Sequence, residues 1–268
     1  MVLENRFNKL IEARHGTILY NKNDIYIGKS IEKYGEFSYL EAKIFEQICK
    51  AGDVVIEVGA NIGAHTLYLS KLVGNGYVFA FEPQRLVFQN LCANLALNSI
   101  SNVYAYQEAV SNENGTIIIP ECNFKENNNF GGINIENTKN GTTVNKQKLD
   151  NFLNKIDRLK LLKIDVEGME ISVIKGASEL IKKFRPMIYV ENDRQEHSKE
   201  LIELLWSLDY KMYWHLPKLY NENNFFNDKE NIFGNIVSVN MFCIHKDSNI
   251  KILDMTEVLD SSFHPMKR

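Results

Sequence analysis

The stretch Val54 to Thr66, Val-Val-Ile-Glu-Val-Gly-Ala-Asn-Ile-Gly-Ala-His-Thr, constrains the fold more than any other part of the chain. Its first half, Val54 to Val58, is β-branched and apolar apart from Glu57, the pattern of a strand buried in a parallel sheet. The chain must then turn sharply, and Gly59 and Gly63 supply the backbone freedom for it. From Gly63 to Val73 the apolar spacing predicts a helix packed back on that strand. Such a turn aims helix amides at whatever lies above the carboxyl end of the strand, a suitable seat for a nucleotide-like ligand.

Glycine spacing narrows the ligand. A dinucleotide fingerprint needs Gly-x-Gly-x-x-Gly so that backbone can approach a pyrophosphate, but the positions here are Gly59, Asn61 and Ala64. What is present is Glu57-x-Gly59-x-Asn61-x-Gly63, and an acid at the strand end disfavours phosphate and favours a cationic or amine-bearing ligand. A second buried-strand pattern, Tyr77 to Phe81, ends in Glu82-Pro83. Glu82 falls about 20 residues beyond the loop, where an acid holds ribose hydroxyls in nucleotide-binding α/β folds, and Pro83 stops the strand.

The remaining periodicities predict a doubly wound, mostly parallel α/β sheet of seven strands with an N-terminal extension of hairpin and helix. Residues 1–50 read as that extension or lid: a hairpin of Thr17–Tyr20 and Ile25–Ile27 about an Asn21–Asp24 turn, then a helix over Tyr39–Lys50. Residues 51–248 form the main domain and 249–268 a C-terminal tail. Its strands after Phe81 are Val103–Tyr106, Leu161–Asp165, Met187–Val190, Tyr210–Trp214 and Asn235–Ile244, the last antiparallel. Helices are predicted over Gln84–Leu97, Met169–Ala177 and Lys199–Leu208, and a further short strand over Gly115–Pro120. The polar, asparagine-rich run Glu121–Gly141 is too long for a plain connection and reads as a functional or locally disordered loop.

Bulk properties exclude several classes. A net charge of -3 offers no electrostatic footprint for nucleic acid, and 44% hydrophobic with 24% charged residues is ordinary for a globular chain. Met1 to Glu12 carries four charged side chains and no unbroken apolar core, and no stretch reaches membrane-spanning length, so a cytoplasmic protein is expected. Cys49, Cys92, Cys122 and Cys243 lack metal-site spacing and read as buried reduced thiols.

With these motifs in hand, the chain resembles the FkbM family of class I methyltransferases from about Tyr34 to Ile244. The carriers are Tyr34-Gly35-Glu36, Val58 to Gly63, Phe81-Glu82-Pro83, Lys163-Ile164-Asp165-Val166-Glu167-Gly168-Met169-Glu170, Val190-Glu191 and Asn231 to Asn235. The resemblance implies S-adenosylmethionine as methyl donor and O-methylation of a sugar or secondary-metabolite hydroxyl, so the partner is a small-molecule or glycan acceptor. It implies that the Gly59–Gly63 loop lies under the methionine part of the cofactor and that the Glu108–Ala109 loop lies near its adenine. The cofactor set is then Glu57, Gly59, Asn61, Gly63, Thr66, Glu82, Pro83, Glu108, Ala109 and Asp165.

Methyl transfer from a sulfonium is a direct displacement, for which alignment supplies roughly 7 to 11 kcal/mol and a base typically ~10²- to 10⁴-fold. Two arrangements suit a hydroxyl acceptor. In one, Asp165, Glu191 and Asn192 at adjacent strand ends hold a hard cation such as Mg²⁺, which lowers the hydroxyl pKa. In the other, Glu167 or His215 is the base, with Asp165 beside it and the aromatics Trp214, Tyr220, Phe225 and Phe226 near a sugar face. The competing readings are a nicotinamide-dependent Rossmann oxidoreductase, against which the missing glycines count, and a non-catalytic cofactor-binding module.

Overall fold

The computed structural model describes residues 3–133, 138 and 140–267. Seven predicted strands share one sheet: β1 (Val54–Val58), β2 (Tyr77–Phe81), β3 (Val103–Tyr106), β4 (Leu161–Ile164), β5 (Met187–Glu191), β6 (Tyr210–His215) and β7 (Asn240–His245). A two-residue strand, β8 (Thr256–Glu257), adds to the edge, giving the order β8-β6-β7-β5-β4-β1-β2-β3. Strands β1 to β5 are mutually parallel, and β7 runs antiparallel between β5 and β6. The strand order reverses between β1 and β4, so their carboxyl ends flank the crevice where open α/β sheets bind ligands.

Alternation along the strands builds one core on each face. Ile56, Leu162 and Ile188 pack with Val173, Leu180 and Leu205 of the helices Glu170–Gly176, Ser178–Phe184 and Gln195–Ser207. On the opposite face Val55, Val78 and Leu161 meet Phe45 and Leu69 of the helices Tyr39–Ile48 and Ala64–Val73. Fully burying each such side chain contributes about 1.5 to 3 kcal/mol. At the carboxyl end of that second face the same alternation places Glu57, Lys163 and Glu191, so the apolar layer gives way to a polar one.

The N-terminal hairpin lies earlier than expected. Asn8–Ala13 and Gly16–Asn21 pair around a turn that Gly16 permits at φ +123°, while Asn21–Asp24 starts a helix instead of reversing a strand. Asp24 Oδ1 accepts from the amides of Tyr26 and Gly28, and Ile27–Tyr34 is helical. Asn94 ties this hairpin to the site: its Oδ1 accepts from Leu19 N, and its Nδ2 donates to Leu19 O and Ile62 O.

Gly115–Ile119 leaves the main sheet and forms a small one with Ala109–Val110 and Thr142–Gln147, a strand just after the insert whose own polar sequence conceals it. Part of that insert, at 134–137 and 139, lies outside the described residues. Cys49 and Cys243 are buried thiols, but Cys92 is exposed. Among the described residues no helix is long and apolar enough to cross a membrane.

Candidate active site

A cavity of about 410 Å³ opens at the carboxyl ends of β1, β2, β4 and β5. Its size is that of a small-molecule site. Gly59 at φ +82° and Asn61 at φ +50° carry the chain over β1, and Glu82 fastens the turn. Glu82 Oε2 accepts from Asn61 N at 3.0 Å and Oε1 from Gln84 N at 2.8 Å. Burial pushes Glu82 up to about 7.

Beneath the loop, Glu57 is 1% exposed, and its Oε2 accepts from the Thr66 hydroxyl at 2.6 Å. Lys163, opposite it on β4 and 2% exposed, lies 3.7 Å from Glu57 Oε1 and 3.3 Å from Asp165 Oδ2. Burial lowers the affinity of Lys163 for its proton, but Asp165, Glu57 and Glu41 outweigh burial and hold the ammonium charged. Burial also raises Glu57 and pushes Glu41 up to about 7.

The other half of the cavity is acidic. Carboxylate oxygens of Asp165, Glu167 and Glu191 all lie within 4.8 Å of one another. Glu167, at φ +54°, accepts from Arg194 Nη2 at 2.7 Å, and Glu170 Oε1 accepts from the amides of Val166 and Gly168 to shape the turn. Burial, then the charge of Asp165, raises both Glu167 and Glu191. The wall is completed by Asp193, Arg194, the segment Ile236–Asn240 and, from the asparagine-rich insert, Asn129, Gly131 and Gly132.

The cavity therefore gathers Glu57, Gly59, Asn61, Glu82, Asp165, Glu167 and Glu191. Other expected site residues fall elsewhere. Gly63 and Thr66 stand behind the loop: Gly63 begins the Ala64–Val73 helix and Thr66 holds Glu57. Pro83 lines a separate shallow pocket, the Glu108 carboxylate is hydrogen-bonded by the Gln147 amide, and Ala109 is buried in the small sheet. The side chain of Asn192 turns away from the carboxylates to donate to Ser198 Oγ and Met241 Sδ, so Glu167 takes its expected place in the trio. His215 also stands outside, with Nδ1 2.7 Å from the Tyr189 hydroxyl, and burial lowers it to about 4. Trp214 packs edge-on to His264, Tyr220 packs on Tyr34, and Phe225 and Phe226 cover Gly35.

Lys163, Glu41, Arg194 and Asn240 were not expected in the site. For Lys163 the signal was present, as a cation in the middle of an otherwise apolar strand.

The Methyltransferase FkbM domain profile matches residues 57–212, more than half of the chain. Methyltransferase sdnD of Sordaria araneosa is 27% identical over 181 residues, 54% of this chain and 70% of that protein. Hexuronic acid methyltransferase AglP of Haloferax volcanii is 26% identical over 175 residues, 65% of this chain and 69% of that protein. A crystal structure of methyltransferase FkbM from Methylobacillus flagellatus superposes with a TM-score of 0.45 at 18% identity, over 76% of this chain and 50% of that one.

Proposed function

The chain belongs to the FkbM methyltransferase family, and we propose that it transfers the methyl group of S-adenosylmethionine to a hydroxyl oxygen of a sugar or similar metabolite. The observation that carries this reading is the carboxylate floor of Glu57, Glu82 and Asp165 under a loop without the dinucleotide glycines. Three acids suit a sulfonium and an ammonium and oppose a pyrophosphate.

In this reading Glu82 accepts from the ribose hydroxyls with the lone pairs that Asn61 and Gln84 leave free. Glu57 and Asp165, held in register by Lys163, face the cationic methionine end. The acceptor then enters over β4, β5 and β7, where Asp165 and Glu167 are the carboxylates within reach of its proton. The bond from the acceptor oxygen to the methyl carbon forms as the carbon–sulfur bond breaks, sulfur leaves neutral, and the hydroxyl proton passes to a carboxylate. Residues 1–50 serve as the lid, since Tyr26, Phe37 and Glu41 line the cavity. The acidic wall favours a small acceptor over a nucleic acid, and the action of the Haloferax relative on hexuronic acid supports a sugar.

The trio Asp165, Glu167 and Glu191 fits a divalent cation poorly as arranged. Lys163 already faces Asp165 and Arg194 already donates to Glu167, so the charge a cation would bring is supplied by the chain itself. Calorimetric titration with S-adenosylhomocysteine and with NAD tests the reading. The homocysteine nucleoside should bind and NAD should not; the reverse would overturn it.

A further inference from the structure

Among the described residues, three buried polar atoms of the cavity wall have no hydrogen-bond partner: Glu191 Oε2, Asn240 Nδ2 and Arg194 Nε, the last of which still has the Asp193 carboxylate 3.5 Å away. Glu191 Oε2 and Asn240 Nδ2 are left without an ion pair or a hydrogen bond among the described residues, the Asn240 amide lying near but not bonded to the Tyr189 hydroxyl, although Glu191 and Asn240 stand directly opposite each other on antiparallel β5 and β7. Side chains so paired have Cβ atoms about 5 Å apart. One atom is an acceptor and the other a donor, and Asn240 is only 4% exposed. Buried polar atoms in folded proteins are almost always satisfied, so such a pair inside a cavity marks groups reserved for a ligand.

From this pair we infer an acceptor clamp for a vicinal diol, in which one hydroxyl of the methyl acceptor donates to Glu191 Oε2 and its neighbour accepts from Asn240 Nδ2. The inference rests on the methyltransferase reading and adds the acceptor class and the residues that select it. A hydroxyl is the group that can both donate and accept. A metal ion or an ammonium would answer Glu191 but leave the Asn240 amide facing a cation. A lone carboxylate would answer Asn240 but meet Glu191, Glu167 and Asp165. Glu191 lies two strands from β1 and Asn240 three, about 10 and 14 Å along the sheet, so the clamp stands beside the cofactor half of the cavity and meets it at Asp165.

Saturation-transfer NMR on the full chain loaded with S-adenosylhomocysteine tests the clamp. The probes are cis- and trans-1,2-cyclohexanediol, with 1,2-dimethoxycyclohexane as the analogue that cannot donate. At least one diol should bind and the dimethoxy analogue should not. Glu191→Gln and Asn240→Asp should each weaken the diol at least tenfold, with S-adenosylhomocysteine affinity held as proof that the fold and the cofactor half are intact. If neither diol binds the loaded protein, or both variants bind it as the wild type does, the clamp is wrong and the methyltransferase reading stands. If S-adenosylhomocysteine itself does not bind, both fall.

Discussion

A Cβ at position 59 would lie 1.7 Å from the carbonyl oxygen of Asp165, so Gly59 sits where the β1 loop crosses the end of β4 with no room for a side chain. Its φ of +82° is a second requirement for glycine. Together they join the two halves of the cavity at the point where the strand order reverses.

Gly59→Ala should therefore cost about 2 to 4 kcal/mol in strain and displaced backbone. The expected result is a lower melting temperature and loss of the calorimetric heat of S-adenosylhomocysteine binding. A variant that binds normally would mean that the loop tolerates a shift away from Asp165.

Glu82→Ala removes an acceptor for the cofactor and also both bonds that hold the turn, from Asn61 N and Gln84 N. A hydrogen bond to a charged group contributes about 1.5 to 3 kcal/mol, so S-adenosylhomocysteine affinity should fall about 10- to 100-fold. Glu82→Gln keeps one oxygen acceptor and should fall between. Unchanged affinity in both variants would place the ribose elsewhere.

Strands β1 to β7, the mostly parallel sheet and its antiparallel last strand were legible because alternation and turn residues are local signals. The site was legible where it sits on strand ends, as at Glu57, Glu82 and Asp165. It was not legible where a side chain's direction depends on partners distant in sequence. Asn192 follows Glu191 directly, yet strand alternation sends it to the opposite face, toward Ser198 and Met241. Tyr34-Gly35-Glu36 could be read as a motif but not as a joint. Glu36 accepts from Arg14 Nε, from Phe225 N and from Asn221 Nδ2, the last 185 residues away, and so pins the 216–239 segment over the N-terminal extension. His215 reads in the sequence as a base beside aromatics, and its ring instead meets the Tyr189 hydroxyl outside the cavity.

The stability that Glu41 and Glu82 contribute should fall as pH rises, against the opposite slope that the buried His15, His65 and His215 impose below pH 6.5. Burial pushes Glu41 and Glu82 up to about 7 from 4.5, so between those values the folded chain holds more protons than the unfolded one. Stability from these groups is complete below about pH 4.5 and lost as pH passes 7, on the order of 3 kcal/mol for each. Melting of the ligand-free wild type and of the double variant Glu41→Gln/Glu82→Gln, in which the histidine titrations are the same, should show the wild type losing ground to the variant between pH 5.5 and pH 8. Saturating S-adenosylmethionine, which brings positive charge to the ionised carboxylates, should flatten that slope. A difference between the two proteins that stays constant from pH 5.5 to pH 8 would mean that the floor is not strained by its charge.

Arg194 decides whether the acidic trio takes a metal. Its Nη2 donates to Glu167 Oε2 at 2.7 Å and its Nε lies 3.5 Å from Asp193 Oδ1, so the guanidinium already supplies the positive charge a cation would bring. A divalent ion would need to displace that pair while also meeting Lys163 beside Asp165. Chelator should leave methyl transfer by the wild type unchanged. Arg194→Ala removes the competing charge and leaves Asp165, Glu167 and Glu191 with oxygens within 4.8 Å of one another, close enough for shared coordination. Mn²⁺ titrated into that variant and followed by electron paramagnetic resonance should show a bound population absent from the wild type. Wild-type activity that chelator abolishes and Mg²⁺ restores would show instead that the ion outcompetes the guanidinium, and that the trio is a metal site in the working enzyme.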